Sequence, residues 1–152
     1  MARPIKRSID YFSFDTVFFE DEKIKLLKAR HGADGVLLYI YLITYCYREK
    51  GYYCIVDEDS MLLISDAIKI EPGNVGLMIE FMIDKNLFNV LRITESKMIL
   101  TSERIQKNYM AAVKSRGKKV RVKVDGYIWR LSAEQTEEYM EVIRRESFKN
   151  DL

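Results

Sequence analysis

The chain has 152 residues, of which 48% are hydrophobic and 32% charged, with a net charge of +2, so it can build one folded core and a small appendage. A single histidine and two cysteines, Cys46 and Cys54, provide no metal-ligand cluster, and we expect no cofactor, no metal and two reduced core cysteines. No apolar run reaches membrane-spanning length and no apolar segment follows the basic first residues, so we expect a cytoplasmic protein without a membrane partner.

The first predicted elements are a basic arm and two helices. Five aromatic residues between Tyr11 and Phe19 are expected to hold the arm against the core. The spacing of apolar residues predicts a first helix over residues 18–30 and a second, apolar on nearly all sides, over residues 34–50. Gly32 stands between them, where a left-handed helix terminus is favoured.

The next elements follow the order strand, helix, helix and hairpin. A short strand is predicted over residues 52–56, followed by a helix capped by Asp57 or Asp59. A second helix runs from about residue 73 to 85 after Pro72, and extended runs at 87–93 and 97–101 flank a polar tip. The hairpin and the first strand are expected to form a three-stranded sheet. This element order predicts an α+β winged helix-turn-helix.

A fifth helix begins at Ser102 and opens the most basic part of the chain. Residues 1–101 carry 13 basic and 15 acidic side chains, and residues 124–152 carry 4 and 7. Residues 102–123 carry 8 basic and 1 acidic, a net charge of +7. The helix is therefore expected to have an apolar face and a basic face.

The last third contains a strong hairpin signal. Two alternating runs, 120–124 and 127–131, flank Asp125 and Gly126, the residues preferred in a type I′ turn. Ser132 and Gln135 have the spacing of a capping box and predict a final amphipathic helix. We divide the chain into a winged-helix domain with its arm, residues 1–117, and a basic β-hairpin plus helix, residues 118–152.

Several short motifs resemble an uncharacterised winged-helix-like domain at the N-terminus of phage and prophage proteins. They are Ala2-Arg-Pro-x-Lys6, Tyr11-Phe12-x-x-Asp15, Phe18-Phe19-x-Asp21, Gly51-Tyr52-Tyr53 and Leu100-Thr-Ser102-x-x-Ile105-Gln-Lys107. Members of that family are described as replisome organisers related in layout to DnaD-like primosome proteins. The resemblance covers residues 1–117 and implies a winged-helix fold with a role near DNA replication.

The basic segment is the predicted DNA contact. The second helix of a helix-turn-helix pair normally carries side chains that read bases, but here its outer positions are acidic and apolar. We therefore predict a phosphate-binding module with little sequence readout. Its predicted nucleic-acid residues are Arg104, Lys107, Lys114, Arg116, Lys118, Lys119, Arg121 and Lys123, with Arg92 and Lys97 of the hairpin. An alternative is a solvated basic face neutralised by the glutamates of the last helix, Glu134, Glu137, Glu138 and Glu141.

The second functional hypothesis is an adaptor or inhibitor that binds a nucleic-acid-processing protein such as a helicase or loader. Leu77 and Phe81, one turn apart on the fourth helix, form its candidate partner patch, unless they are buried against a neighbouring helix. Homo-oligomers through an open strand edge are also compatible with the sequence. No residue pattern indicates catalysis, because His31 lies at a helix end and the grouped carboxylates lie beside helix N-termini.

Overall fold

The computed structural model describes residues 8–114 and 121–144, which form an α+β fold. A 3₁₀ turn over Phe18–Glu20 precedes the first helix. The helices of the described residues are α1 (Glu22–Glu49), α2 (Glu58–Ile68), α3 (Pro72–Asp84) and α4 (Glu103–Lys114). The strands are β1 (Cys54–Val56), β2 (Asn89–Arg92), β3 (Met98–Thr101), β4 (Val122–Asp125) and β5 (Met140–Ile143). Within these residues, no helix has both the length and the apolar character that crossing a bilayer requires.

The N-terminal arm is held against the body by backbone and aromatic contacts. The Ile9 N–H donates to the Tyr47 carbonyl at 3.0 Å, and the Phe12 and Tyr47 rings pack with centroids 4.5 Å apart. Phe18 is buried, but the Tyr11 ring is 86% exposed. Contact of the aromatic cluster with the body is thus confirmed, although only some of its rings provide it. The basic residues 1–7 of the predicted arm lie outside the described residues.

Helix α1 is interrupted at Gly32, as the sequence predicts. Asp21 caps its start by accepting from the Lys23 N–H at 2.8 Å. Gly32 has φ 68° and ψ −163°, so φ is positive as predicted but ψ is not that of a left-handed helix terminus. This conformation is open almost only to glycine, and the two predicted helices form one interrupted element. Beyond the break, Leu38, Leu42 and Cys46 are fully buried. Cys46 and Cys54 are both free and buried, as expected.

Replacing Gly32 by alanine is expected to destabilise the protein by about 1–3 kcal/mol, because alanine is strained at this φ and ψ. An added Cβ would meet nothing within 4 Å, so the cost comes from the backbone alone. Urea unfolding provides the measurement.

Gly76→Ala is the matched control for this prediction. Gly76 lies within α3, and its added Cβ would be 3.4 Å from the Met61 methyl group, an ordinary contact. Since glycine inside a helix costs about 0.5–1 kcal/mol relative to alanine, the control should gain stability. A Gly32→Ala protein as stable as the original would contradict the proposed strain.

The three-stranded sheet has the order β1-β3-β2 and is antiparallel throughout. Leu100 of β3 lies opposite Cys54 of β1 and Val90 of β2. The Ile93 N–H donates to the Lys97 carbonyl at 2.9 Å and closes the β2–β3 hairpin. The predicted pairing of the first strand with the hairpin is confirmed. Strand β1 is shorter than predicted, since it begins at Cys54 and leaves out Tyr52 and Tyr53.

Along the chain, helices α2 and α3 connect β1 to the β2–β3 hairpin. Asp57 caps α2 by accepting from the Ser60 N–H at 2.8 Å. The chain leaves α2 through Lys69, which has the left-handed conformation (φ 55°, ψ 47°), and Pro72 occupies the first turn of α3. Both predicted helices are confirmed, and α3 packs against α1 as well as α2.

The predicted C-terminal β-hairpin is wrong. Strand β4 pairs with β5, not with residues 127–131, and the two strands are parallel, with Val122 opposite Met140 and Val124 opposite Val142. Asp125 and Gly126 still form a turn, since the Asp125 carbonyl accepts from Ile128 at 3.1 Å and from Trp129 at 2.8 Å. After this turn the chain packs against the body of the fold instead of returning as a strand beside β4.

The reason is that Ile128, Trp129 and Leu131 are all buried. In an extended ribbon, neighbouring residues point to opposite faces, so Ile128 and Trp129 could not both enter the core. The side chain of Gln106, fully buried on α4, takes the place of a partner strand. It donates to the Ile128 carbonyl at 2.9 Å and accepts from the Arg130 N–H at 2.6 Å.

The predicted final helix is also wrong over the residues that the structure describes. The capping box exists, because Ser132 and Gln135 exchange hydrogen bonds of 3.0 and 3.3 Å between side chain and backbone N–H. It closes a turn, and the chain then extends into β5. The Tyr139 hydroxyl donates to the Met110 carbonyl at 2.8 Å and holds this end against α4. Residues 145–152 lie outside the described part.

Candidate nucleic-acid interface

Helix α4 carries three of the ten predicted interface residues, Arg104, Lys107 and Lys114. The Ser102 hydroxyl accepts from the Ile105 N–H at 3.1 Å and caps the helix, as predicted. Ile105, Tyr109 and Val113 are buried on its inner face. Arg104, Lys107 and Lys114 are therefore exposed along the outer face.

Two of the α4 cations have carboxylate partners. The Arg104 guanidinium lies 3.3 Å from the Asp21 carboxylate, and the Lys107 ammonium lies 4.0 Å from Glu103. The side chains of both cations are half exposed, and exposed ion pairs contribute only about 0–1 kcal/mol. Such pairs can exchange a carboxylate for a phosphate at little cost.

Strand β4 supports further predicted contacts. Val124 is buried, whereas Arg121 and Lys123 are exposed, so the alternation predicted for this strand is retained. Within residues 8–114 and 121–144, Lys114, Arg121 and Lys123 form no ion pair. Lys123 lies opposite Glu141 in the β4–β5 ladder. Arg116, Lys118 and Lys119 fall outside the described residues.

The two predicted hairpin cations are engaged with the body. Arg92 donates to both carboxylate oxygens of Glu80, at 2.9 and 3.1 Å, and so ties the hairpin to α3. Lys97 is half buried beside the hairpin tip. Hydrogen bonds from Ser60 lower the pKa of the Asp57 carboxyl, and the Lys97 charge lowers it further.

The structure separates the two residues predicted as a partner patch. Leu77 is 64% exposed, but Phe81 is half buried and its ring meets the His31 ring edge-on at 5.1 Å. Lys85 lies above the same Phe81 ring, 5.7 Å from its centroid. Phe81 thus packs towards α1, while Leu77, on the neighbouring part of the α3 surface, lines a groove that Phe81 does not line.

That groove is a feature the sequence analysis did not identify. It has a volume of about 670 Å³ and lies between α2, the first half of α3 and the β2–β3 hairpin. Its walls include Met61, Leu62, Gly73 and Gly76. The spacing of Gly73, Gly76 and Leu77 on one helical face was the signal available in the sequence.

A smaller cavity of about 290 Å³ lies between the arm, α1 and α4. Aromatic rings line it, with Arg104 and Asn108 at its polar side. Asn108 donates to the Tyr47 hydroxyl at 3.1 Å, and Asp21 pairs with Arg104, so polar groups of the cavity already satisfy one another. This arrangement binds the arm to the body.

Comparison with known proteins now gives the family. The sequence model described as Lin1244/Lin1753-like, N-terminal, matches residues 11–105 of the chain. The chain belongs to this family. It is also 30% identical over 120 residues to the "Uncharacterized phage-related protein Lin1244/Lin1753" of Listeria innocua serovar 6a. That alignment covers 79% of the chain and 39% of the relative, and no solved structure matches the chain.

The Lin1244/Lin1753-like match divides the surfaces described above. It contains the arm from Tyr11, the three-stranded sheet and all the residues of the α2–α3 groove. Its end at Ile105 leaves Gln106, Lys107 and the rest of the basic segment outside the matched range. The groove therefore belongs to the part of the chain that defines the family.

Proposed function

We propose that the chain is a DNA-binding module of a phage-related protein that binds the phosphate backbone with little sequence readout. The observation that carries the proposal is the exposure of Lys114, Arg121 and Lys123, which form no ion pair with any residue in the described ranges, within a segment of net charge +7. Phosphate binding needs cations that are free to replace counterions. The remaining proposed contacts are Arg104, Lys107, Arg116, Lys118 and Lys119.

We also propose that the elements from α1 to β3 form a winged helix. The order α1-β1-α2-α3-β2-β3 and the sheet order β1-β3-β2 support this assignment. In this proposal α3 is not a reading helix, because its exposed face carries Leu77, Glu80 and Asp84. Glu80 would repel phosphates in a major groove, and it already holds Arg92.

The biological setting we propose is DNA replication in the cytoplasm. It is supported by the resemblance of the N-terminal motifs to replisome organisers and by the phage-related relative. In this setting the chain binds and does not catalyse, and its protein partners include a helicase or its loader.

The salt dependence of DNA binding tests the proposal. Anisotropy of labelled single-stranded and double-stranded oligonucleotides is measured over a series of salt concentrations. Affinity should fall steeply with salt, and Arg121→Ala with Lys123→Ala should lower the slope of log K against log salt by about one unit for each lost contact.

Lys28→Ala with Lys85→Ala provides a control that removes the same net charge. Lys28 is an exposed residue of α1 and Lys85 follows α3 and lies over Phe81, so neither belongs to α4 or β4. This pair should leave the salt slope near that of the original protein. Salt-independent binding, or equal slopes for the two double variants, would overturn phosphate neutralisation by α4 and β4.

A further inference from the structure

The groove between α2, α3 and the hairpin exposes apolar side chains that the fold leaves uncovered. Leu62 is 57% exposed and Leu77 is 64% exposed, and both line the groove together with Met61 and Met98. Exposed leucines on facing walls of one concave surface are typical of an interaction site, because a partner that covers them removes apolar area from water.

The α3 wall also carries two glycines that internal packing does not require. Gly73, Gly76, Leu77 and Glu80 follow one another at helical spacing on the groove side. An added Cβ at Gly73 would meet nothing within 4 Å, and one at Gly76 would make an ordinary contact with Met61. Glycine weakens a helix, so these two residues cost stability without improving the internal packing. Because they have no side chains, a second backbone can come close to this face of α3.

The charges around the groove favour a cationic partner. Residues 57–84, which include α2 and α3, contain seven acidic side chains and one basic, a net charge of −6. The groove lining itself carries four carboxylates, Asp57, Glu58, Glu80 and Glu95, and two cations, Arg92 and Lys97, a net charge of −2. Arg92 is already paired with Glu80, so the lining stays acidic. A nucleic acid would be repelled here, whereas lysine and arginine side chains would be attracted.

We propose that this groove binds a basic amphipathic helix of another protein. Two of its three walls are helices, which offer no strand edge, so a partner whose own backbone is satisfied fits these walls best. A helix meets this requirement and places apolar anchors one turn apart, with Lys or Arg beside them facing the carboxylates. The chain thus has a basic face for DNA and an acidic, apolar face for a protein.

A labelled helical peptide provides the probe, with leucines spaced i, i+4, i+7 on one face and lysines beside them. Its binding is measured by anisotropy, with a scrambled peptide of the same composition as the reference. The ordered peptide should bind more tightly, and Leu62→Ala with Leu77→Ala should weaken it by roughly tenfold. Both leucines are exposed, so these changes leave the core intact.

Leu63→Ala is the matched control variant. Leu63 is 72% exposed on α2, next to Leu62, but it does not line the groove. It should bind the peptide like the original protein. Equal binding of ordered and scrambled peptides, or equal losses in the Leu63 and Leu62/Leu77 variants, would overturn the proposal.

Two further measurements distinguish the proposed helix in the groove from a second copy of the chain and from a peptide bound elsewhere. Light scattering of the free protein should show no dimer that Leu77→Ala disrupts, since such a dimer would make a second copy the occupant. Peptide binding should also be unaffected by Arg121→Ala with Lys123→Ala. Loss of peptide binding in that variant would show that the probe does not occupy the groove.

Discussion

Replacing Gln106 by methionine is expected to release the C-terminal segment from the body. The Gln106 side chain is fully buried and bonds to the Ile128 carbonyl, the Arg130 N–H and the Thr101 hydroxyl. Methionine fills a similar volume but satisfies none of these groups. The change should cost roughly 2–5 kcal/mol, because each unsatisfied buried group costs about 1–3 kcal/mol.

Trp129 makes this result easy to measure, since it is the only tryptophan of the chain. Its ring is buried and packs edge-on against Tyr52, with centroids 5.8 Å apart. In the variant, its fluorescence should shift to the red at lower urea concentration than the loss of helix signal. Lys107→Met, an exposed neighbour on α4, should leave both transitions in place. Coincident transitions unchanged by Gln106→Met would contradict the role given to this side chain.

High pH is expected to unfold the protein steeply. Burial raises the pKa of the Tyr39, Tyr47 and Tyr52 phenols above their usual value of about 10. In the folded state these phenols stay protonated where an unfolded chain would release three protons. The stabilisation is complete below about pH 10 and is lost above it, at roughly 4 kcal/mol for each further pH unit while all three remain protonated.

Urea unfolding from about pH 9 to about pH 11 measures this slope. A single Tyr47→Phe change should make the slope shallower by about 1.4 kcal/mol per pH unit, although it also removes the hydrogen bond from Asn108 at 3.1 Å. The Tyr39→Phe and Tyr52→Phe proteins should each lose a similar share. If all three variants kept the pH dependence of the original protein, buried phenols would not be the cause.

The body of the fold could be predicted from the sequence because its signals are local. Gly32 indicated the interruption of α1, Asp57 and Ser102 indicated helix starts, and Pro72 indicated the first turn of α3. Alternation of apolar residues around a polar tip then predicted the hairpin. Each signal acts within one or two turns of chain, so no distant contact was needed to interpret it.

The C-terminal segment could not be predicted because a distant side chain decides it. Asp125 and Gly126 occur in hairpin turns and in the turn observed here, and the alternation at 120–131 favours the hairpin, which the structure does not form. The choice is made by Gln106 and by Tyr52, whose hydroxyl accepts from the Asp125 N–H at 3.0 Å. Both residues lie far before the segment in the chain, and nothing in the sequence around them indicates that they bind residues 125–130.

The candidate sites were predicted to different degrees. The basic segment followed from charge alone, and the exposure of Arg121 and Lys123 agrees with the alternation expected of a strand. The pairing of Leu77 with Phe81 followed helical spacing, but spacing did not reveal that His31 of α1 packs against the Phe81 ring. Leu77 instead lines the groove together with Met61 and Leu62 of α2, which the turn at Lys69 connects to α3.

The parallel pairing of β4 with β5 bears on the order in which the protein folds. A parallel pair needs a crossover, here residues 126–139, and closing that loop costs entropy before any ladder contact forms. Tyr52 and Gln106, which anchor this region, lie outside the loop and earlier in the chain. Because they provide a prebuilt template, the nascent chain should complete its N-terminal body first and add this final strand pair afterwards.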